Sequence, residues 1–483
     1  MKAKLGDVYC TILKKYDKWC CFQVVEEGKD RIALLALNWF QKKIPSAKDL
    51  NQMKPLYINH HSWNEKMEVF YTEQIHVPDT YTCAGNIPSL YDGKISTHGG
   101  WDDFLRIESQ YEWMQLPEEK RKQYKEAQAS PKNVFINGHE YSTKYTNIHE
   151  DILENFSNWH ELDQLPALYE IHYNGNDKGI IDYINTNQMI TYLNWINHGQ
   201  TIIDLSRSHL KKLVVATDGL KKIIINDALE FLSLVCDSLV DMQVILNNKG
   251  KNLELWLFNL NDAAMPVFDL PDLHILSFAG VAQVDAEKIA SAYPDIRKLN
   301  IQGNPGYISN IHALYELKNL QHLSMKDIFG FTSTEFPTQE QMPSLKVLDL
   351  NSIPAEAAKE LKKMYRGIAS LSITQPRSDE WLAVNANNPF RCWDDLEGMP
   401  KKHAKAAFNA YKKIIADLTH GDKSKASIKK VLKAFVGTFN EINESHILDT
   451  IEREDIYNVY CNLLEKFKLD AIGSEWFDEW RDF

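Results

Sequence analysis

Two His-Glu pairs, His139-Glu140 and His149-Glu150, begin the way a zinc-binding helix begins, and they are the chain's most chemistry-like spacing. Hydrolysis on zinc needs a second histidine three residues beyond the glutamate, one turn further along the same helix face, so that two imidazoles meet one ion. Those positions hold Thr143 and Leu153, so the ligand pair is absent. His98-Gly99-Gly100-Trp101 has the glycines of an oxyanion loop, but no G-x-S-x-G elbow supplies the nucleophile, and a glycine turn accounts for it. NGNDKG has glycines without the spacing of a phosphate-cradling loop. Cys20 and Cys21 are neighbours in a strand-like run, where successive side chains point to opposite faces, so joint metal ligation is not expected. Asp102-Asp103 and Asp394-Asp395 read as surface carboxylates. The expectation is therefore no catalytic residue, no metal and no cofactor.

The elements that would position a site are written far more clearly. PDLHILSFAG, PDIRKLNIQG, KNLQHLSMKD and PSLKVLDLNS share apolar residues at their third, sixth and eighth letters. Along the chain these are Leu273/Leu276/Phe278, Ile296/Leu299/Ile301, Leu320/Leu323/Met325 and Leu345/Leu348/Leu350, with Ile368/Leu371/Ile373 as a fifth copy. First positions lie 23, 24, 25 and 23 residues apart, within the range of about 20 to 29 for leucine-rich repeats, which this region resembles. Asn304 is the one asparagine at the repeat's ninth position. A single strand and return segment cannot bury its leucines alone, whereas stacked copies can.

Upstream the rhythm shortens. Leu210/Leu213/Val215, Leu220/Ile223/Ile225, Leu229/Leu232/Leu234 and Leu239/Met242/Val244 start 10, 9 and 10 residues apart. Two strands per coil, one on each face, would explain it, the alternative being a local antiparallel meander. Leu253/Trp256/Phe258 bridges to the regular part, and Leu168/Ile171/Tyr173 fits loosely as an irregular first copy. Between the ladder residues, Ser277, Asn300, Ser324, Asp349 and Ser372 form an outward-facing column, flanked by His274, Arg297, Lys298, Gln321, His322 and Lys346. These are the candidate partner-binding residues.

Residues 1 to about 125 alternate apolar and polar in short runs broken by turns, the signature of a small antiparallel β domain, and LPEEKRKQYKEAQA closes it as a helix. GDVYCTIL, KWCCFQVV, IALLALNWF, PLYINHHSW, VPDTYTCAGNIP and GGWDDFLRIESQYEW follow in an order that resembles the immunity protein twenty-six family of bacterial polymorphic toxin systems, over roughly the first quarter of the chain. That resemblance implies a cytosolic antitoxin that blocks a toxin by binding it. From about 395 onward the period is helical, with stripes at Ala407/Tyr411/Ile414/Leu418, Ile428/Leu432/Phe435/Phe439 and Ile456/Tyr460/Leu463/Phe467. Trp476, Phe477, Trp480 and Phe483 end the chain as an aromatic tail, either docked on these helices or free as a hook for a basic groove.

The expected fold class is α+β multi-domain: an immunity-like β domain over 1–130, a connector and cap over 131–200, a leucine-rich-repeat solenoid over 201–376 and a helical bundle over 377–483. The 483 residues carry 66 acidic and 54 basic side chains, a net charge of −12. That balance disfavours a nucleic-acid backbone as ligand and favours a basic protein surface. The seven cysteines form no CxxC pair, so neither a disulfide scaffold nor a zinc module is expected. No signal-like or membrane-spanning run is apparent, which places the expected protein in the cytoplasm. The expected function is a non-catalytic binding protein that neutralises a toxin, with a regulatory or scaffold protein that recruits a housekeeping partner as the alternative.

Overall fold

The computed structural model describes residues 2–149, 152–153, 156–235, 242–259, 266–396, 398–469 and 475–483. Glu150, Cys236 and Leu239 lie outside them. The chain divides into two compact units, the first comprising Met1–Ser277 with Ser291–Ile296, the second Phe278–Ala290 with Arg297–Phe483.

The first unit opens with an antiparallel sheet of β1 (Asp7–Leu13), β2 (Lys18–Glu27), β3 (Ile32–Gln41), β4 (Val69–Thr72) and β5 (Thr82–Asn86), in the order β4-β3-β2-β1-β5. Both faces are apolar and both are covered. Tyr9, Cys20, Phe22, Leu34 and Trp101 share one core, while Val8, Cys10, Cys21, Leu35 and Leu37 share the other. Cys20 and Cys21 thus point to opposite faces, as strand alternation requires. Two helices follow, α1 (Leu105–Gln115) and α2 (Glu118–Ala129). The second was legible as a helix; the first was read only as part of the N-terminal resemblance.

The remaining strands correct the expected fold class. Instead of an α+β chain with a central leucine-rich-repeat solenoid, the arrangement is α/β, built on one large parallel sheet with helices, beside the small antiparallel sheet. Its strands are β6 (Asn147–Ile148), β7 (Glu170–Asn174), β8 (Tyr192–Ile196), β10 (Lys212–Ala216), β12 (Phe231–Val235), β14 (Glu254–Phe258), β15 (Ile275–Asp285), β16 (Lys298–Ser309), β17 (His322–Phe329), β18 (Val347–Asn351) and β19 (Ser370–Thr374). These eleven strands are hydrogen-bonded in that order, and every described pairing among them is parallel. The physical reason is that a parallel strand must be reached by a crossover, and several crossovers here are helical: α3 (Gly179–Thr186), α4 (Ala286–Ala292) and α5 (Ala355–Met364). The sheet also begins at Asn147, well before the region where the leucine period is regular.

Strands β9 (Ile202–Leu205), β11 (Lys222–Ile225) and β13 (Gln243–Ile245) alternate along the chain with β10 and β12 but pair among themselves in a separate parallel sheet. That alternation is the origin of the short spacing near residue 220. The ladder side chains from Leu210 to Leu350 are buried wherever described, with one slip. At β14 the buried residues are Leu253, just before the strand, and Leu255 and Leu257 within it, while Trp256 and Phe258 take the opposite, half-exposed face. Side chains alternate with period two, so a reading displaced by one residue exchanges the faces. At the end strand β19, Ile368 and Leu371 are only partly buried, having lost a neighbour on one side.

Within the second unit α6 (Lys401–His420), α7 (Lys425–Ser445) and α8 (Thr450–Lys466) share one apolar core. Asp449 caps α8 by accepting from the Ile451 and Glu452 amides, with Glu452 bonding back to the Asp449 amide. The aromatic tail docks on these helices: Phe477 packs 5.0 Å from Tyr460, and Asn440 donates to the Trp480 carbonyl at 2.8 Å.

Candidate functional site

Tyr169, Thr191, Lys211 and Glu230 each stand one residue before a strand of the large sheet, so parallel register makes them neighbours along its rim. The backbone records the spacing: Lys211 N donates to Thr191 O at 2.8 Å and Glu230 N to Lys211 O at 2.9 Å. Opposite this rim stand the β1–β2 turn, which carries Lys15 and Tyr16, and α1, which carries Glu112 and Trp113. All lie in the first unit and line a cavity of about 880 Å³, the size of a small-molecule pocket. Its apolar wall is aromatic, with Trp113 and Tyr124 edge to face at 5.2 Å and His61 5.3 Å from Trp113.

Its polar wall is a chain of alternating charge. Glu112 meets Lys211, Lys15 at 2.7 Å and the Tyr16 hydroxyl, and Lys15 reaches on to Glu230 at 2.6 Å. Burial pulls the Glu112 carboxyl up, but hydrogen bonds from Lys15 and Lys211 outweigh it and leave the group below the usual glutamate range. Burial pulls Lys15 down, and its bonds to Glu112 and Glu230 more than offset this, so it stays protonated. Tyr16 is raised by burial and by donating to Glu112. Desolvation, then the neighbouring His61, pushes His60 down to about 4, and His61 is lowered by burial and by Lys125. At neutral pH both histidines are uncharged, and the lysines and carboxylates neutralise one another. Among the described residues no group of three or more His, Cys, Asp or Glu could hold a metal ion.

Beyond this rim the strands of the first unit present in-register rows. Glu170, Tyr192, Lys212, Phe231 and Glu254 form one, and His172, Asn194, Val214, Ser233 and Trp256 the next. Except for buried Ser233 and exposed Lys212, these side chains are half-exposed. Trp256 lies 6.2 Å from Phe231 and stacks on Phe258 at 5.6 Å, and its indole N–H donates to Glu254 at 2.6 Å. Sequence reasoning missed this aromatic patch because it assigned Trp256 and Phe258 to the buried ladder. The Leu253-x-Leu255-x-Leu257 alternation was the signal that could have found it.

The candidate residues read from the sequence fall in both units. In the second, Asn300, Ser324, Asp349 and Ser372 are register partners across four adjacent strands and none is buried, so they do form one column. Lys298 and His322 pair beside them, while Arg297, Gln321 and Lys346 are exposed at the rim. Burial, then Lys298, lowers His322 against the pull of Asp349. In the first unit His274 is half-exposed, whereas Ser277 is buried at 0% exposure, correcting its place in an outward-facing column. Strand alternation sets the side of the sheet a residue faces, not what covers it there. His139 and Glu140 are exposed on a short hairpin strand, and Trp101 is buried in the N-terminal core.

No protein-family model matches the chain, and no curated protein matches it. Among solved structures it is similar to a leucine-rich-repeat protein of Leptospira interrogans at 14% identity, over 45% of this chain and 92% of that one, with a TM-score of 0.15. Among the described residues no helix is long and apolar enough to cross a membrane.

Proposed function

We propose that this chain is a non-catalytic binding protein whose partner is another protein, held on the open face of the parallel strands. The observation that carries the reading is the stacked patch of Phe231, Trp256 and Phe258, large aromatics left half-exposed on a regular sheet face. Aromatic side chains of this kind dominate protein interfaces because they bury large area with few rotamers to freeze.

The partner's charge follows from the local face rather than from the whole chain. In the second unit Arg297, Lys298, Lys326 and Lys346 stand on or beside the polar column with Asp349 as the carboxylate within it, and none of the four makes an ion pair among the described residues. The chain's −12 favours a basic partner at long range, but contact on the second unit's face favours carboxylates. The specific biological form we propose is an immunity protein that masks a bacterial toxin, and this rests on the order of N-terminal sequence features alone.

The test is coexpression with toxins encoded beside the gene. Protection and co-purification are expected, with both lost in Trp256→Ala and weakened in Lys298→Glu/Lys346→Glu while the melting temperature holds. Failure to bind any of them removes the immunity role. Binding that survives Trp256→Ala removes the first unit's face, binding that survives Lys298→Glu/Lys346→Glu removes the second unit's, and a housekeeping protein as sole partner supports the scaffold alternative.

A further inference from the structure

The antiparallel register of β1 and β2 sets Cys10 directly opposite Cys21. Both side chains enter the same apolar core between Val8, Leu35 and Leu37, at 0% and 1% exposure, and their sulfurs lie 2.6 Å apart. Both are thiols in this structure. The distance lies between a covalent sulfur–sulfur bond, about 2.05 Å, and an ordinary thiol contact. Other nearby cysteines are excluded from this face: Cys20 points into the opposite core, and Cys83 is exposed.

We propose that Cys10 and Cys21 are a disulfide site, oxidised by exchange with a small disulfide such as oxidised glutathione while the chain folds. One cysteine sulfur attacks the oxidised glutathione, forming a mixed disulfide and releasing one glutathione. The other sulfur then displaces the second glutathione. The two protein thiols lose two electrons, the glutathione disulfide gains them, and the two thiol protons end on the two released glutathiones.

Burial decides when this happens. Desolvation, then the hydrogen bond with Cys10, raises the Cys21 thiol, so its thiolate is scarce once the core has closed. Exchange therefore belongs to the folding chain, and the finished bond is shielded from reductant by the same core. A chain that folds under reducing conditions keeps the dithiol.

The bond bears on the cavity because of where the hairpin leads. From Cys10 and Cys21 the pairing continues through Thr11–Cys20, Ile12–Trp19 and Leu13–Lys18 to the turn that carries Lys15 and Tyr16. Those two residues supply the Lys15 link between Glu112 and Glu230 and the Tyr16 hydroxyl on Glu112. A covalent brace three pairs from the turn restricts how far the strands can splay, and with them the groups that close one end of the charged wall.

The experiment refolds the full chain from denaturant in a mixture of reduced and oxidised glutathione, then alkylates under denaturing conditions and maps the peptides. Expected are five alkylated cysteines of seven, a mass lower by two hydrogens, one linked peptide pair joining Cys10 to Cys21, and recovery of all seven thiols on reduction. Cys20→Ser keeps the link, and Cys10→Ser abolishes it. Amide exchange over residues 13–18 is slower in the oxidised protein than in the reduced one. Seven free thiols after oxidative refolding, or a link that uses Cys20 or Cys83, overturns the proposal. Equal exchange in the two forms overturns the brace. The wild-type map decides the chemistry even if a variant fails to fold.

Discussion

Asp327→Asn replaces a carboxylate in one of the least exposed ion pairs of the second unit. Asp327 lies in β17 with φ at 53°, a left-handed conformation that asparagine tolerates as well as aspartate, so the change is isosteric and adds no backbone strain. Its Oδ2 sits 3.3 Å from an Arg391 terminal nitrogen, with side-chain exposures of 4% and 9%. Among the described residues the Arg391 Nε has no hydrogen-bond partner, and the other terminal nitrogen of that side chain reaches the Asn388 carbonyl at 3.5 Å. Coulomb attraction at this distance is about 5 kcal/mol for an effective dielectric near 20, and desolvation of two ions opposes it. The net worth of the pair is therefore small, but removing one member strands the other charge, which costs about 3–5 kcal/mol. Asp327→Asn should lose about 3 kcal/mol because the amide oxygen still accepts a hydrogen bond. Asp327→Asn/Arg391→Met should recover most of it, since the orphan charge is gone. Urea unfolding of the three proteins, with slopes compared and amide exchange at residues 322–329 as a local readout, measures both steps. A single variant within about 1 kcal/mol of the parent, or a double variant as unstable as the single, refutes the reasoning.

Leu348→Ala, at 0% exposure in β18, should cost about 2–5 kcal/mol, and Leu371→Ala in the end strand β19 clearly less, by the same unfolding assay. Gly303→Ala should destabilise by about 1–3 kcal/mol, because a Cβ there overlaps the Gly306 amide nitrogen and the Asp327 carbonyl, backbone atoms that cannot rotate away. Glu112→Gln should cost about 1 kcal/mol, since its ion pairs are a quarter to a third exposed. The Glu112 carboxyl is lowered on folding, so its contribution is present above the ordinary glutamate range and disappears as pH falls through the folded value. The parent-to-variant gap in melting temperature should therefore be full at pH 7 and shrink toward pH 3, and a gap that grows on acidification would show the sign to be wrong. Trp256→Ala should leave melting within a few degrees, because the ring is half-exposed.

The strands of the second unit were legible because burial repeats there with a fixed beat. Leu299 and Ile301, Leu323 and Met325, and Leu348 and Leu350 are buried in consecutive strands, as their spacing implied. The apolar stripes of α6 to α8 were likewise readable from helical period, whereas the sequence left the aromatic tail either docked or free, and the packing of Phe477 on Tyr460 decided it. Trp256 and Phe258 were misassigned because every residue from Leu253 to Phe258 except Glu254 is apolar, so composition could not choose between two registers one residue apart. The cavity was not legible at all. Glu112 lies 97 residues beyond Lys15 and Lys211 about as far again beyond Glu112, and nothing local to any of them marks the other two. Cys10 and Cys21 sat in plain view, yet only strand register sets them face to face while turning Cys20 away.

What the sequence by itself determined was local and periodic: which segments alternate, which follow a helical turn, and which leucines must leave water, because these depend on neighbours a few residues away. What only the tertiary structure decided was lateral. Hydrogen bonding between strands sorted the leucine segments, and several strands before them, into one large parallel sheet and a separate small one. The same register fixed which polar and aromatic side chains meet across its open face. Sideways neighbours are set by the balance of many distant contacts at once, so no window of sequence contains them.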